Sequence, residues 1–324
     1  MQRREFVTLV GGAAAAWPLA ARAEQMRRVG VLLNTSENDR ESLARIAVLE
    51  ESLVRLGWTV GRNIRIDYRW YGGDRERART GAAELLALSP DAVVANANAA
   101  TSAFHLASRS VPIVFTVVTD PVGEGFVQNL ARPGGNITGF TNQPTEGAKF
   151  LELLKEIAPG VKRVSFMTGN TLISAAIYQS AETAAPKLTL EILKIVVRDF
   201  TDIEPVLTVL AKSRDGGLII AGDAITSTHR EQVIRLASQY RIPAVYGFQF
   251  FAREGGLLSY GIDIIDQFRQ VAGYVDRILR GAKPAELPVQ QPTKFELVIN
   301  VRTAQALDLI IPPTLLARAD ELIE

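Results

Sequence analysis

Apolar residues along this chain alternate between short strand-like runs and longer stretches in which they recur every three or four positions. The first series of runs covers 28–33 (RVGVLL), 63–71 (NIRIDYRWY), 91–96 (DAVVAN) and 112–118 (PIVFTVV), with helical periodicity over 40–56, 75–88 and 100–108 between them. Runs with few polar interruptions suit strands covered on both faces. A strand-helix rhythm of this kind predicts a parallel sheet with right-handed crossovers.

The rhythm breaks after 118. Residues 120–139 hold Gly123, Gly125, Pro133, Gly134, Gly135 and Gly139 and no regular period, before Ile137 and Phe140 restore an apolar pattern. A structureless stretch of that length inside a compact domain is uncommon and often functional. It follows a core strand, where open α/β sheets place ligands, so it is expected to lie near a cleft and an interlobe crossing.

A second series then begins, with helices over 147–157, 174–185, 203–212 and 230–240 between strands at 161–169, 190–197, 216–223 and 242–247. A strand at 255–263, a long helix at 265–280, a proline-spaced connector, a strand at 295–300, a helix from Thr303 and a short helix after Pro312-Pro313 complete the chain. The expected fold class is therefore α/β, as two doubly wound lobes with parallel sheets joined by a hinge. Lobe 1 is assigned 27–141 plus about 263–285, and lobe 2 142–262 plus about 290–324.

Composition adds compartment and partner. Residues 1–23 carry Arg3 and Arg4, then a moderately apolar stretch broken by Gly11, Gly12 and Pro18, then Ala21-Arg22-Ala23. This reads as an export signal cleaved after Ala23, too short to span a bilayer. The paired arginines resemble a twin-arginine signal, with Gln2 where a hydroxyl residue is usual, so the Sec and twin-arginine routes both stay open. Removing the signal's net +2 from the +1 of the whole chain leaves −1, which attracts no nucleic acid. Absence of cysteine excludes disulfides, thiolate chemistry and a lipid-modified cysteine anchor. A free soluble periplasmic monomer is the expectation.

TDPVGEGFVQNLARPGGNITGFT, the segment from REGGLLSYGID through LPVQQPTKFELVIN to LLARADELIE, and the exported N-terminus together resemble ABC transporter substrate-binding proteins of the family that includes tryptophan and tyrosine binders. The likeness covers nearly the whole mature chain. It implies a type I periplasmic-binding-protein fold whose lobes close on a small solute, with no enzymatic activity and no cofactor. It also implies a permease partner in the inner membrane. The implied solute is an amino acid or related carboxylate.

Candidate ligand-binding residues are those just past the strand ends: Asn34 and Ser36, then Asn96, Asn98 and Thr101, then Thr119 and Asp120. In the second lobe they are Gly169, Asn170 and Thr171, then Asp223 and Thr226, then Tyr246 and Phe248. Asn98 and Thr101 open a helix whose N–H groups suit a carboxylate, or equally an ordinary cap. Many relatives carry a Gly-Thr-Pro-like segment where this chain has Asn96-Ala97-Asn98-Ala99. Asp120 and Asp223 are placed to meet an ammonium group, Asp223 first; the competing readings are a helix cap for Asp223 and a plain turn for Asp120. Tyr246, Phe248 and Phe140 offer stacking faces or core packing.

Enzyme readings find little to use. His105 and His229 are far apart with no metal-ligand spacing, and Gly123-Glu124-Gly125 is only half of a nucleotide loop. An exported sensory module, or an exported cofactor-dependent enzyme, are the alternatives to a transport receptor.

Overall fold

The computed structural model describes residues 26–142, 147–168, 172–213, 215–222 and 224–324. The expected export signal (1–23) and the candidates Gly169, Asn170, Thr171 and Asp223 lie outside the described residues.

Two sheets form. The first holds β1 (Arg27–Leu33), β2 (Ile64–Trp70), β3 (Ala92–Asn96), β4 (Ile113–Val118) and β5 (Ile137–Thr141), all parallel, in the order β2-β1-β3-β4-β5. Their connections include α1 (Arg40–Arg55), α2 (Arg75–Ala87) and α3 (Ala97–Ala107). The second sheet starts after α4 (Gly147–Ile157) with β6 (Arg163–Thr168), α5 (Leu172–Ala184), β7 (Glu191–Val196), α6 (Ile203–Leu210) and β8 (Gly216–Ile220). It continues through α7 (Ala224–Thr228), α8 (Arg230–Gln239), β9 (Ala244–Tyr246), α9 (Gln249–Arg253) and β10 (Leu258–Ile262). After α10 (Ile264–Leu279) come β11 (Phe295–Asn300), α11 (Val301–Ala306), α12 (Pro313–Leu316) and β12 (Glu321–Ile323). Its strand order is β12-β11-β10-β9-β8-β6-β7, with β11 antiparallel to β10 and the other pairs parallel.

Local chemistry explains these elements. All six residues of β4 are buried, as a strand covered on both faces requires. Asp39, Asp74 and Asp263 cap α1, α2 and α10 by accepting backbone N–H groups of the first turn. The short α7 and α9, and the terminal β12, go beyond the sequence expectation. Three to five residues give no periodic signal, and β12 exists only because β11 offers it a parallel partner.

The first sheet is covered by α1 and α10 on one face, where Val29, Val31, Leu49 and Val114 meet Phe268, Val271 and Val275. Its other face meets α2 and α3 through Leu85, Val93, Phe104 and Phe115. The second sheet is likewise sandwiched, by α4 and α5 on one face and α6 and α8 on the other. Burying each such large apolar side chain contributes about 1.5–3 kcal/mol.

Because α10 packs on the first sheet although β10 and β11 belong to the second, the chain passes between sheets three times: after Thr141, after Ile262, and between Gln290 and Phe295. The passages are bonded to one another and to the first sheet. Gln290 N donates to Gly139 O at 2.9 Å and Thr141 N to Gln290 O at 2.8 Å. Lys294 Nζ reaches Asp263 Oδ2 at 3.0 Å. Gln267 of α10 accepts from Thr116 Oγ1 at 2.9 Å and from Val117 N at 3.2 Å, and donates to Thr141 O at 2.7 Å.

The irregular segment after β4 is packed rather than loose. Phe126 and Val127 are buried with Phe104, and Leu130 O accepts from Val289 N at 2.7 Å, which ties the segment to the third passage. Gly139 follows from a close approach: at φ 152° its position would put a Cβ 2.1 Å from Phe115 O.

Candidate functional site

The tips of the two sheets enclose a cavity of about 60 Å³. From the first sheet come Asn34, Thr35 and Ser36 just past β1, then Asp39, Glu41 and Arg45 at the start of α1, and Val117 in β4. Ser227 and Thr228 end α7 and Arg230 opens α8 on the opposite wall, where Phe248 and Phe250 add aromatic faces. Ile264, at the second passage, completes the wall.

One ion pair joins the walls. Arg230 Nη1 donates to Asp39 Oδ2 at 2.6 Å, while Arg230 Nε donates to both oxygens of Glu254 at 2.8 Å. The Arg230 and Asp39 side chains are 12% and 9% exposed, so salt screens the pair little. Burial opposes charge on Arg230, yet the hydrogen bonds and charges of Glu254 and Asp39 outweigh it and hold its pKa above the ordinary arginine value. The guanidinium also sits over the Phe250 ring, 5.3 Å from its centre. Asp39 does two jobs, because its Oδ1 accepts the Glu41 and Ser42 N–H groups that start α1. A polar groove of about 790 Å³ lined by Arg40, Arg253 and Arg302 also touches Asp39 and Arg230, so the bridge stands between cavity and groove.

Behind the first-sheet wall lies a second arginine in a different state. Arg45 is 3% exposed. Its Nη1 donates to Asn34 Oδ1 at 3.0 Å and Asn96 Oδ1 at 3.3 Å, and its guanidinium lies 6.0 Å from the centre of the Phe268 ring. Among the described residues no carboxylate comes within 4.0 Å of it, and burial pulls its pKa down despite the more distant charges of Glu41 and Asp39.

The backbone here is strained. Ala97 at φ 71°, Val117 at φ 58° and Asp120 at φ 47° occupy the left-handed region just where β3 and β4 end. For a β-branched residue such as Val117 this is a true outlier, held by the N–H bond to Gln267, and such strain concentrates at functional sites.

Of the residues expected from sequence, Asn34, Ser36 and Phe248 line the cavity. Asn96 stands one bond behind, accepting from Asn34 N at 3.3 Å and from Arg45. Asn98 and Thr119 bond each other, Asn98 Nδ2 to Thr119 O and Thr119 N to Asn98 Oδ1, both at 3.0 Å, just outside the wall. Asp120 accepts from Gly123 N at 2.9 Å, closing a turn. Thr101 donates back to Ala97 O within α3. Thr226 is buried in α7, and Tyr246 is buried against Phe251 with ring centres 4.6 Å apart. Phe140 packs on Tyr274 beside the third passage. Phe248 stacks on Phe250 at 5.4 Å and also touches the cores of both sheets. Gly222 at φ 94° passes under that ring, where a Cβ would come 2.7 Å from it.

Thr35, Asp39, Arg45, Val117, Arg230 and Phe250 were not anticipated. The signal for Arg45 was present, since it falls on the buried stripe Ser42, Arg45, Val48, Leu49 of α1. A cation on an apolar stripe needs a reason. His105 and His229 flank different sheets, and among the described residues no group of three His, Cys, Asp or Glu is placed to hold a metal. No helix of the described residues is long and apolar enough to cross a membrane. A further apolar groove of about 530 Å³ lies away from this site, between β7 and α6.

Comparison with known proteins gives the same direction. The chain is 24% identical over 290 residues to a tyrosine-binding protein of Clostridioides difficile (strain R20291), covering 89% of this chain and 82% of that one. It superposes with TM-score 0.83 and 25% identity on a structure from Streptococcus pneumonia of an ABC domain in complex with L-Trp, over 92% of this chain and 100% of the other. A conserved domain protein from Vibrio cholerae O1 biovar El Tor gives TM-score 0.83 at 28% identity, again over 92% and 100%. The two sheets are the type I periplasmic-binding-protein architecture. A family model described as ABC transporter substrate binding protein matches residues 26–323, so the chain, with its cavity at the facing strand tips, belongs to that family of binding proteins and not to an enzyme family.

Proposed function

We propose that this protein is an exported receptor that captures a small solute, an amino acid or related carboxylate, between two lobes and delivers it to an ABC transporter permease in the inner membrane. The observation that carries the reading is the Arg230–Asp39 bond across the cavity. Two sheets that touch through a bonded, poorly exposed ion pair have a closed state to stabilise. A solute that contacts both walls adds to that state and shifts the population toward it.

The lobes of this reading are 27–141 with 263–285, and 142–262 with 290–324. They pivot on the three passages, whose mutual hydrogen bonds limit the motion to a few backbone angles. Closure excludes water, which strengthens each hydrogen bond to the solute. It also presents a joined outer surface to the permease. The likeness to tyrosine-binding and L-Trp-bound proteins supports the solute class.

The test uses the mature chain from residue 24, screened by melting temperature against a library of small metabolites. A true ligand at one hundred times its Kd adds about 2.7 kcal/mol of stability. One solute or a narrow chemical group should raise the transition and reduce the radius of gyration in solution scattering. A library in which no solute does either removes the reading.

A further inference from the structure

Resting on the receptor reading of this same cavity, we propose that its first-sheet wall is a carboxylate subsite, in which Arg45 Nε and Thr35 Oγ1 receive the anionic end of the solute. Neither atom was singled out by position past a strand end. What marks them is that both are buried without a hydrogen-bond partner, and both residues line the cavity.

Buried polar atoms are nearly always bonded, and a cluster of exceptions asks for an explanation. Here the exceptions share a sign. Arg45 Nε and the neighbouring Asn96 Nδ2 are donors only, and Thr35 Oγ1 can donate. The Asn96 amide is fixed in orientation, since its oxygen accepts from both Asn34 N and Arg45 Nη1, which leaves the NH₂ as the unused half.

Charge at Arg45 favours the same occupant. A buried guanidinium without an adjacent carboxylate carries an uncompensated desolvation cost. Arg230 shows how this chain treats a buried arginine with a structural job: two carboxylates hold it. Arg45 instead has two neutral amide oxygens on one nitrogen and an unused Nε. A guanidinium edge offers parallel N–H groups that match two oxygens of a carboxylate or of a phosphate, a fit that a sugar hydroxyl or an amine does not share. With the solute bound, its carboxylate supplies the missing negative charge. Arg45, rooted in α1 beside the Asp39 cap, then links solute binding to the wall that carries the interlobe bond.

The experiment pairs each acid with its uncharged amide: propionate and propionamide, benzoate and benzamide, L-tryptophan and L-tryptophanamide, with inorganic phosphate, a neutral sugar set and an amine set as further arms. Melting temperature and calorimetric titration are read on the wild type, Arg45→Gln, Arg45→Lys and Thr35→Val. At least one acid should bind where its amide does not. Arg45→Gln should weaken that acid roughly tenfold or more, Arg45→Lys less, and Thr35→Val severalfold. Thr35→Val keeps shape and removes only the hydroxyl, so it decides the matter if Arg45→Gln does not fold. Binding of a sugar, an amine or phosphate with no acid bound, or of an acid with equal strength to the wild type and Thr35→Val, overturns the carboxylate subsite while leaving the receptor reading intact. Failure of every arm overturns the carboxylate subsite, and the receptor reading falls with it only if the wider metabolite library also shifts nothing.

Discussion

Arg230 Nη1 and Asp39 Oδ2 meet at 2.6 Å although they are 191 residues apart and stand on different sheets. The bond is asymmetric in what it leaves behind. Arg230 without Asp39 still has Glu254, whereas Asp39 without Arg230 still caps α1. Each wall is therefore self-sufficient when separated, which is what a contact that opens and closes needs.

Asp39→Asn should loosen the closed form while sparing the cap, because asparagine caps helices as well as aspartate does. Loss of one charged hydrogen bond shifts the open–closed balance by about 1.5–3 kcal/mol. The unliganded radius of gyration should rise, and Arg230→Ala should raise it similarly. The double variant should add little to either single one, as coupled partners do. Fully additive effects would show that the pair is a bystander.

Gln267→Leu removes one side chain and strands three groups, the Thr116 hydroxyl, the Val117 N–H and the Thr141 carbonyl. Leaving buried groups unbonded costs about 1–3 kcal/mol each. A drop of at least ~2 kcal/mol in urea unfolding is expected, together with weaker solute binding because the strained Val117 loses its tether. Stability loss with unchanged affinity would separate Val117 from the site.

Gly139→Ala should be among the most damaging small substitutions in the chain. The added carbon meets the carbonyl of Phe115 at a distance no packing tolerates, and that carbonyl belongs to the neighbouring strand and cannot swing away. A loss of at least ~3 kcal/mol follows from the combined clash and backbone strain. Chemical denaturation against wild type measures it.

Asp263 gives a pH-dependent effect. Burial pushes its carboxyl pKa up, but the Asp266 N–H and the Lys294 ammonium overcome this and hold it below its ordinary 3.8. A depressed carboxyl contributes stability that is fully present above the unfolded value and is lost as pH falls through the folded one. Asp263→Ala should thus cost about 1–2 kcal/mol at pH 7, in the range of a lost N-cap. The difference from wild type should shrink steadily below pH 3.8. A difference that stays constant from pH 7 to pH 2.5 would rule out the charge as its source.

The sheets were readable because their strands are unbroken apolar runs and their helices are amphipathic, so Ile113–Val118 and Ile264–Leu279 follow from pattern alone. The site was readable only as a region. Asn34 and Phe248 follow from the rule that ligands sit past strand ends, but that rule reaches only the few residues that follow a strand. It passed over Arg45, in the second turn of α1, and Arg230, which looks like any charged helix start until Asp39 appears opposite. Tyr246 stands at a strand end like Phe248, yet its ring turns inward onto Phe251. Which way a ring turns depends on the partner behind it, and that partner is set by the fold.

The return of α10 to the first sheet has a consequence for how the molecule comes into being. The face made by Val29, Val31 and Val114 has only α1 over it until Phe268, Val271 and Val275 arrive, more than a hundred residues after β5 ends. Loop closure over such a distance is slow. A fragment ending at Thr141 would therefore be sticky rather than native, and the N-terminal half ripens only once the C-terminal half has nearly finished.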